Sequence, residues 1–379
     1  MDMPKVDLSI LIPSRNEMFL SKTIENILEN IQGNSEIIVV CDGNWPNPPV
    51  SDNPKVTMIY HSQSIGQRAA TNEAAKLSRA KFIMKCDAHC SFDKGFDVKL
   101  MADCEYDWTI VPRMYNLHAF DWRCKKCGDT RYQGPTPTSC PKCDNKTEFE
   151  RVILWKEKRN PESDFFRFDK ELHFQYWREF KKRPEAQSDL APTMSLLGAC
   201  WFMHRQRYWD LDGSDELHGS WGQMGTEIGC KSWLSGGKLL VNKKTWFAHM
   251  FRTQGLDFGF PYPNPGIKKA RQRSRDLWYG NIWPKAKYSL PWLIEKFAPV
   301  PDWEKMDWSV QMKEPPKSVE KEDEVEPMPE VKSTGITKGL LYYTDNNLDD
   351  RIMKVVQKNL ELQCNGHRIV SVSLKPIGF

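Results

Sequence analysis

Lys81-Phe82-Ile83-Met84-Lys85-Cys86-Asp87-Ala88-His89-Cys90 is the stretch on which the reading of this chain turns. Its first six residues form a short apolar run that predicts a buried strand opening into a loop. Asp87 and His89 stand at the mouth of that strand. His249 follows a second strand-like run, Lys238-Leu239-Leu240-Val241, inside Trp246-Phe247-Ala248-His249-Met250-Phe251-Arg252. A carboxylate and two imidazoles delivered at strand ends can hold a divalent cation and leave positions open on it. An ion held in this way can bind a diphosphate and act as a Lewis acid on a leaving group. Alone, Asp87-Ala88-His89 reads equally well as a solvated loop. The strand before it and the His249 segment favour metal, with Asp87, His89 and His249 as ligands. This donor set suits manganese or another first-row divalent ion better than calcium.

Outward from that strand, apolar runs and helical periodicity alternate. Strands are predicted over Leu8 to Pro13, Glu36 to Cys41, Val56 to Tyr60 and Phe82 to Cys86, with helices over Phe19 to Ile31 and Gln67 to Arg79. Short strands spaced by helices imply an α/β fold with a mostly parallel, doubly wound sheet. Ligands of such sheets sit beyond the carboxyl ends of the strands. Asn16, Asp42 and Asp87 all fall just past such ends.

Four of the eleven cysteines are paired in sequence: Cys124-Lys125-Lys126-Cys127 and Cys140-Pro141-Lys142-Cys143, joined by a loop containing Gly128, Gly134, Pro135 and Pro137. This spacing predicts a four-thiolate structural zinc site, a zinc ribbon inserted over 122–149. The other seven cysteines are dispersed in apolar surroundings and read as buried free thiols of a reducing compartment. Phe165 to Phe180 is aromatic-rich, is expected to be helical in its second half, and suits packing under the ribbon better than a stacking platform.

The chain divides into a catalytic domain over 1–313, an acidic, Pro-rich linker over 314–332, and a strand–helix–strand unit over 333–379. That last unit, a C-terminal βαβ extension, is too short to be stable alone and could open a second domain. Formal charge is +4 over 379 residues. Between Glu314 and Glu330 seven acids face two bases, so the body before the linker is more basic, about +6. That excess permits an anionic ligand without requiring one. The densest basic run, Lys268 to Arg275, reads as a solvated helix face that could also touch a donor diphosphate or an anionic acceptor. No run reaches the apolar length of a membrane span, and no secretory signal opens the chain, so a cytoplasmic protein is expected.

From Ser9 to about Tyr279 the sequence resembles the family 2 glycosyltransferases with a GT-A fold. Its motifs are closest to those of the polypeptide N-acetylgalactosaminyltransferases. Ser9-Ile10-Leu11-Ile12-Pro13-Ser14-Arg15-Asn16-Glu17 is similar to their opening strand and nucleotide-contacting turn, which implies donor contacts at Pro13, Arg15, Asn16 and Glu17. Asp42 stands where the family has the acid that contacts uridine. Gly66-Gln67-Arg68-Ala69 resembles a Gly-x-x-Arg segment and implies a donor contact at Arg68. Cys86-Asp87-Ala88-His89-Cys90 resembles the family's Asp-Ser-His-Cys metal motif, which also brings Asp87 to the donor. Ala248-His249-Met250-Phe251-Arg252 resembles the Gly-His-x-Phe-Arg segment, which implies His249 as third metal ligand and Arg252 on the diphosphate.

Gly219-Ser220-Trp221-Gly222-Gln223-Met224-Gly225-Thr226-Glu227 resembles the Trp-Gly-x-x-Asn-x-Glu segment beneath the sugar and acceptor. Met224 and Gly225 stand where the family has Glu and Asn. Trp221 then reads as a sugar-stacking floor or as core packing. Glu227 reads as an acid near the acceptor or as a helix-dipole partner. Arg273, Asp276 and Trp278 echo an Arg-x-x-Glu-x-Trp helix. The ribbon, the linker and the C-terminal unit are foreign to that family, and the whole layout resembles phage-encoded glycosyltransferases, for which the compartment would be host cytoplasm.

The expected activity is metal-dependent transfer of a sugar from a nucleotide donor, a UDP-sugar by resemblance, to a hydroxyl of a macromolecule. The resemblance points to protein Ser or Thr. The ribbon, the basic helix and the phage-like layout point to hydroxymethylated pyrimidines in DNA. Retention of configuration is expected, although Asp215 and Glu216 come close to an inverting-type acidic pair and would be candidate bases together with Glu227. A nucleotidyltransferase on a similar fold would need a Gly-rich, Lys-bearing turn that Ser14-Arg15-Asn16-Glu17 does not provide. A zinc-ribbon nucleic-acid-binding module with a vestigial site is the third reading, and the intact metal and diphosphate residues argue against it.

Overall fold

Every residue of β1 (Leu8–Ser14) is buried, as the unbroken apolar run Leu8-Ser9-Ile10-Leu11-Ile12-Pro13 requires of a central strand covered on both faces. The computed structural model describes residues 6–160, 163–252, 259, 262, 264–303 and 341–342. β1 pairs in parallel with β2 (Ser35–Asp42) on one side and, across the sheet, with the later strand over Phe82–Cys86 on the other. β3 (Val56–His61) extends the parallel set beyond β2. The strand over Phe82–Cys86 is β4, and β5 (Cys90–Phe92) follows it. Helices α1 (Leu20–Asn30), α2 (Gln67–Leu77) and α3 (Phe96–Ala102) join these strands. On α1, Leu20, Thr23, Ile24 and Ile27 are buried, the spacing of one helical face.

Past β4 the sheet becomes mixed. β6 (Trp108–Cys124), β7 (Thr130–Tyr132) and β8 (Phe149–Lys158) form a hairpin system, and β9 (Phe166–Phe168) pairs with β10 (Phe174–Tyr176) in a separate two-stranded sheet. β11 (Leu190–Pro192) and β12 (Cys200–His204) precede α4 (Arg205–Asp210), α5 (Met224–Leu234) and β13 (Lys238–His249). β12 enters the large sheet reversed, antiparallel to both β4 and β6, while β13 lies parallel to β6. The sequence expectation of a mostly parallel sheet therefore describes residues 8–86, and the second half of the sheet mixes directions. An apolar run such as Cys200-Trp201-Phe202-Met203 carries no mark of its direction, which connection geometry decides. Helices α6 (Asn264–Trp278) and α7 (Leu290–Lys296) follow, and β14 (Leu341–Tyr342) adds a two-residue parallel edge to β3.

The cysteine-rich segment is a continuation of the sheet. β6 runs out of the sheet core and pairs antiparallel with β8 from Asn116↔Lys158 to Cys124↔Phe149, and β7 pairs with the same outer end of β6. The hairpin thus begins at Asn116, six residues before the boundary read from the cysteines. Its root packs in a small second core in which Phe120 and Trp122 meet Phe19 and Met250.

The aromatic stretch differs from expectation. Its second half is β10 and a short 3-10 turn at Arg178–Lys182, and Phe165, Phe168, Trp177 and Phe180 are buried in the main core rather than beneath the ribbon. Phe180 lies 5.8 Å from Phe297 and Phe168 lies 6.1 Å from Trp303, ring centre to ring centre. Alternating aromatics satisfied a period-2 pattern that a helical reading overlooked. The linker expected over 314–332 and, apart from Leu341 and Tyr342, the unit over 333–379 lie outside the described residues.

Candidate active site

The loop after β4 and the end of β13 both line a cavity of about 340 Å³, although β6 and β12 separate the two strands in the sheet. β5 pairs antiparallel with the end of β13, and His249↔Cys90 register brings His249 to the Asp87-Ala88-His89 loop. The Nε2 atoms of His89 and His249 are 3.1 Å apart. Asp87 Oδ2 lies 3.4 Å from His249 Nε2 and 3.9 Å from His89 Nε2. Adjacent donors on an octahedral cation with bonds near 2.1 Å sit about 3 Å apart, so the three groups fit one ion. The donor atoms lie within 4.8 Å of one another.

The electrostatics favour ligation. Burial pulls the pKa of His89 and of His249 down to about 4, which leaves both imidazoles neutral. Burial opposes ionisation of Asp87, but the Lys85 ammonium beside it prevails and holds the carboxyl well below its usual range. Lys85 is wholly buried, pairs with Asp87 Oδ1 and donates to the Gly198 carbonyl at 2.7 Å. Glu17 Oε1 lies 3.0 Å from His89 Nδ1, which assigns the ring proton to Nδ1 and the lone pair to Nε2. The same Glu17 oxygen pairs with Arg252. Glu17 therefore links a metal-side histidine to an arginine at the cavity wall.

Pro13, Arg15, Glu17, Asp87 and Arg252 line the cavity. Arg15 donates to the Asp42 carbonyl at 2.7 Å, and its guanidinium lies over the Tyr262 ring. Asn16 and Asp42 are placed differently. Asn16, at φ 50°, borders a neighbouring groove with Trp45 and Arg151, and its carbonyl faces Arg252. Asp42 is buried, and its carboxylate accepts from Ser64 Oγ at 2.9 Å, Gly66 N at 3.1 Å and Tyr262 Oη at 2.6 Å. It organises the turn that starts α2. At that turn Gly66 adopts φ 95°, and a Cβ there would meet Ser220 Cα at 2.9 Å. The helix start is thereby seated on the Gly219–Trp221 loop, with Gln67 N donating to Ser220 O.

Arg68 and the acidic candidates Asp215, Glu216 and Glu227 do not line the cavity. Arg68 Nε donates to Glu227 Oε2 at 2.7 Å, and its Nη2 donates to the Gly222 carbonyl at 2.6 Å. Glu227 also accepts from Lys231 and from Asp215 N. Burial opposes its charge, but Lys231 and Arg68 prevail and its pKa falls to about 2. Asp215 pairs with Arg273 at 2.8 Å and with His218 at 3.1 Å, and Glu216 accepts from Asn72 at 2.7 Å. These groups support the Trp221–Gln223 loop from behind. Trp221 itself lines the cavity with Phe174, Leu197, Met224 and Phe251. On the basic run of α6, Lys268 and Lys269 are exposed, while Arg273 and Arg275 are engaged by Asp215 and Glu171.

Lys85, Gln67, Gln223 and Tyr262 were not singled out by sequence reading. Lys85 carried a signal, since a lysine inside the buried run Phe82-Ile83-Met84-Lys85-Cys86 needs a partner. The other three depend on long-range contacts.

In the ribbon, Cys124 and Cys143 Sγ are 3.7 Å apart and Cys127 and Cys140 Sγ are 3.5 Å apart. Sulfurs around a tetrahedral zinc at about 2.3 Å lie about 3.8 Å apart, so the four thiolates fit that ion and close its sphere. Asn145 Nδ2 donates to Cys124 Sγ at 3.4 Å. Among the remaining cysteines, Cys41, Cys86, Cys90, Cys200 and Cys230 are buried and free, Cys104 is free and partly exposed, and Cys364 lies outside the described residues.

Residues 9–117 match the model of the family described as Glycosyl transferase family 2. The match stops where the ribbon hairpin leaves the sheet. No curated protein matches the chain. A crystal structure of GalNAc-T7 with UDP, GalNAc and Mn2+ is similar with a TM-score of 0.52 at 16% identity, covering 73% of this chain and 49% of that one. A structure of S. aureus TarS 1–349 in complex with UDP-GlcNAc aligns with a TM-score of 0.40 at 12% identity, covering 72% of this chain and 65% of that one. The chain spans about half the length of the GalNAc-T7 structure, and the likeness is one of fold.

Proposed function

We infer, for a chain whose residues 9–117 form a family 2 glycosyl transferase region on a GT-A-like sheet, transfer of a sugar from a nucleoside diphosphate donor to a hydroxyl of a macromolecular acceptor. The observation that carries this reading is the Asp87, His89 and His249 cluster facing a cavity that Arg15 and Arg252 also line. UDP and manganese are the favoured donor nucleotide and ion, as in the GalNAc-T7 structure. A divalent cation bound there would neutralise charge that develops on the leaving diphosphate.

The chain's own residues supply the rest. Asp87, His89 and His249 offer three donors in neutral or anionic form. Glu17 orients His89 and holds Arg252 at the wall, where a diphosphate can draw the guanidinium away from the carboxylate. Trp221, Phe174 and Phe251 give an apolar lining against which a sugar ring can pack.

Retention is the stereochemical outcome this arrangement favours. Among the described residues, the carboxylates lining the cavity are Glu17 and Asp87, and both are committed to cations. Asp215, Glu216 and Glu227 are engaged behind the wall. With no uncommitted carboxylate lining the cavity among the described residues, the acceptor O–H would attack the anomeric carbon on the face that the diphosphate leaves, and its proton would pass to the departing phosphate oxygen. The test is a screen of UDP-sugars with manganese against Ser/Thr peptides and hydroxymethylated DNA, followed by proton NMR of the linkage formed. An α-linked product from an α donor supports the reading. Transfer that is indifferent to chelator, or a β product, would overturn it.

A further inference from the structure

We propose that Gln223 reads a hydroxyl of the transferred sugar and so sets which UDP-sugar the site accepts; this rests on the donor-site reading above. Gln223 lines the cavity, and its Oε1 is buried with no hydrogen-bond partner among the described residues. Its backbone is left-handed, at φ 62° and ψ 9°, a conformation that favours glycine and that a glutamine adopts only when the surroundings impose it.

The surroundings do impose it. The preceding carbonyl, Gly222 O, is held by Arg68 Nη2 at 2.6 Å, and the Gln223 carbonyl accepts from Glu227 N at 2.9 Å. Arg68 and Glu227 are themselves joined, so one buried ion pair grips both sides of residue 223. The side chain is thereby presented into the cavity from a rigid base.

Its neighbours leave the polar task to it. Met224 offers no hydrogen bond through its side chain. Position 225 can carry no side chain, because a Cβ there would lie 1.9 Å from the Leu196 carbonyl oxygen. Thr226 Oγ1 donates to Leu172 O at 3.2 Å, and Gln67 Nε2 faces Asp87 Oδ1 at 3.4 Å. A buried acceptor that lines the cavity with no partner among the described residues calls for a donor from the ligand. Diphosphate oxygens only accept, whereas the hydroxyls of the transferred sugar both donate and accept; uracil N3–H and the ribose hydroxyls donate as well, and titration with UDP alone separates them from the sugar. Rotation of the amide exchanges its oxygen for NH2, and a hydroxyl satisfies either face.

The experiment is calorimetric titration, in manganese, of UDP and of UDP-glucose, UDP-galactose, UDP-GlcNAc and UDP-GalNAc into wild type and Gln223→Gly. Glycine suits the left-handed backbone, so the variant is expected to melt no lower than wild type. UDP should bind both proteins alike. The preferred UDP-sugar should bind the variant about tenfold more weakly, and the spread among the four sugars should narrow. Unchanged UDP-sugar affinity, or an equal loss for UDP and UDP-sugar, would overturn the assignment while leaving the donor site standing. Wild type that binds none of the five would instead overturn the donor-site reading and this assignment with it.

Discussion

Arg68 and Glu227, 159 positions apart in sequence, form an ion pair 2.7 Å long that is buried from solvent at both ends. The pair anchors the loop carrying Trp221 and Gln223 to the first turn of α2. Removing one partner leaves the other charged and buried. Glu227→Gln, which strands Arg68 and Lys231 together, should cost about 3–5 kcal/mol of folding stability, and Arg68→Met, which leaves Glu227 paired with Lys231, should cost less. The double variant should lose less than the sum of the two. Denaturant unfolding of all four proteins measures this, and additive losses would show that the pair does not act as a unit.

Asp87→Asn and His249→Ala should each weaken manganese binding and lower transfer by orders of magnitude, because each removes one of three donors. Titration calorimetry with the ion alone separates the two effects. Tight manganese binding by either variant would place the ion elsewhere.

Lys85→Met should keep manganese binding and lose stability, by about 3–5 kcal/mol if Asp87 stays ionised. The ammonium neutralises Asp87 from behind and ties down the Gly198 carbonyl that lines the cavity, yet it is not itself a ligand. Ion titration alongside thermal unfolding checks both halves, and complete loss of ion binding would show that the lysine also orients Asp87.

Acid should destabilise the metal-free protein through the two histidines. Unfolded histidines protonate near 6.5, whereas burial holds His89 and His249 near 4 in the fold. Above about 6.5 neither state binds these protons and the pair is neutral to stability. As pH falls from there towards 4, the unfolded chain takes up protons that the folded one refuses, so stability declines. Unfolding in chelator at stepwise pH should show this decline, and it should be shallower in a His89→Gln, His249→Asn double variant.

Zinc removal should act locally. One structural zinc is expected per chain, and Cys140→Ser should lose it and lower the melting temperature of the ribbon while UDP binding persists. None of the four cysteines lines the cavity, and the ribbon root is held separately by Phe120 and Trp122. Metal analysis together with UDP titration decides it.

Much was legible in the sequence because it rests on local periodicity and spacing. The burial of β1, β2 and β4, the four-thiolate cluster, and the delivery of Asp87, His89 and His249 to strand ends each follow from apolar runs or residue spacing. The tertiary structure decided which charges remain free to meet a ligand. Asp42, Arg68, Asp215 and Glu227 look functional in a linear motif, yet in the fold Asp42 is engaged by Tyr262, Asp215 by Arg273, and Glu227 by Lys231 and by Arg68 Nε. Conversely, Gln223 looks unremarkable in sequence, and its buried oxygen has no partner among the described residues. A buried polar group must find a partner, and that partner can come from any point along the chain. Periodicity reports which faces are buried, whereas pairing across more than a hundred residues is set only when the sheet and its helices close together.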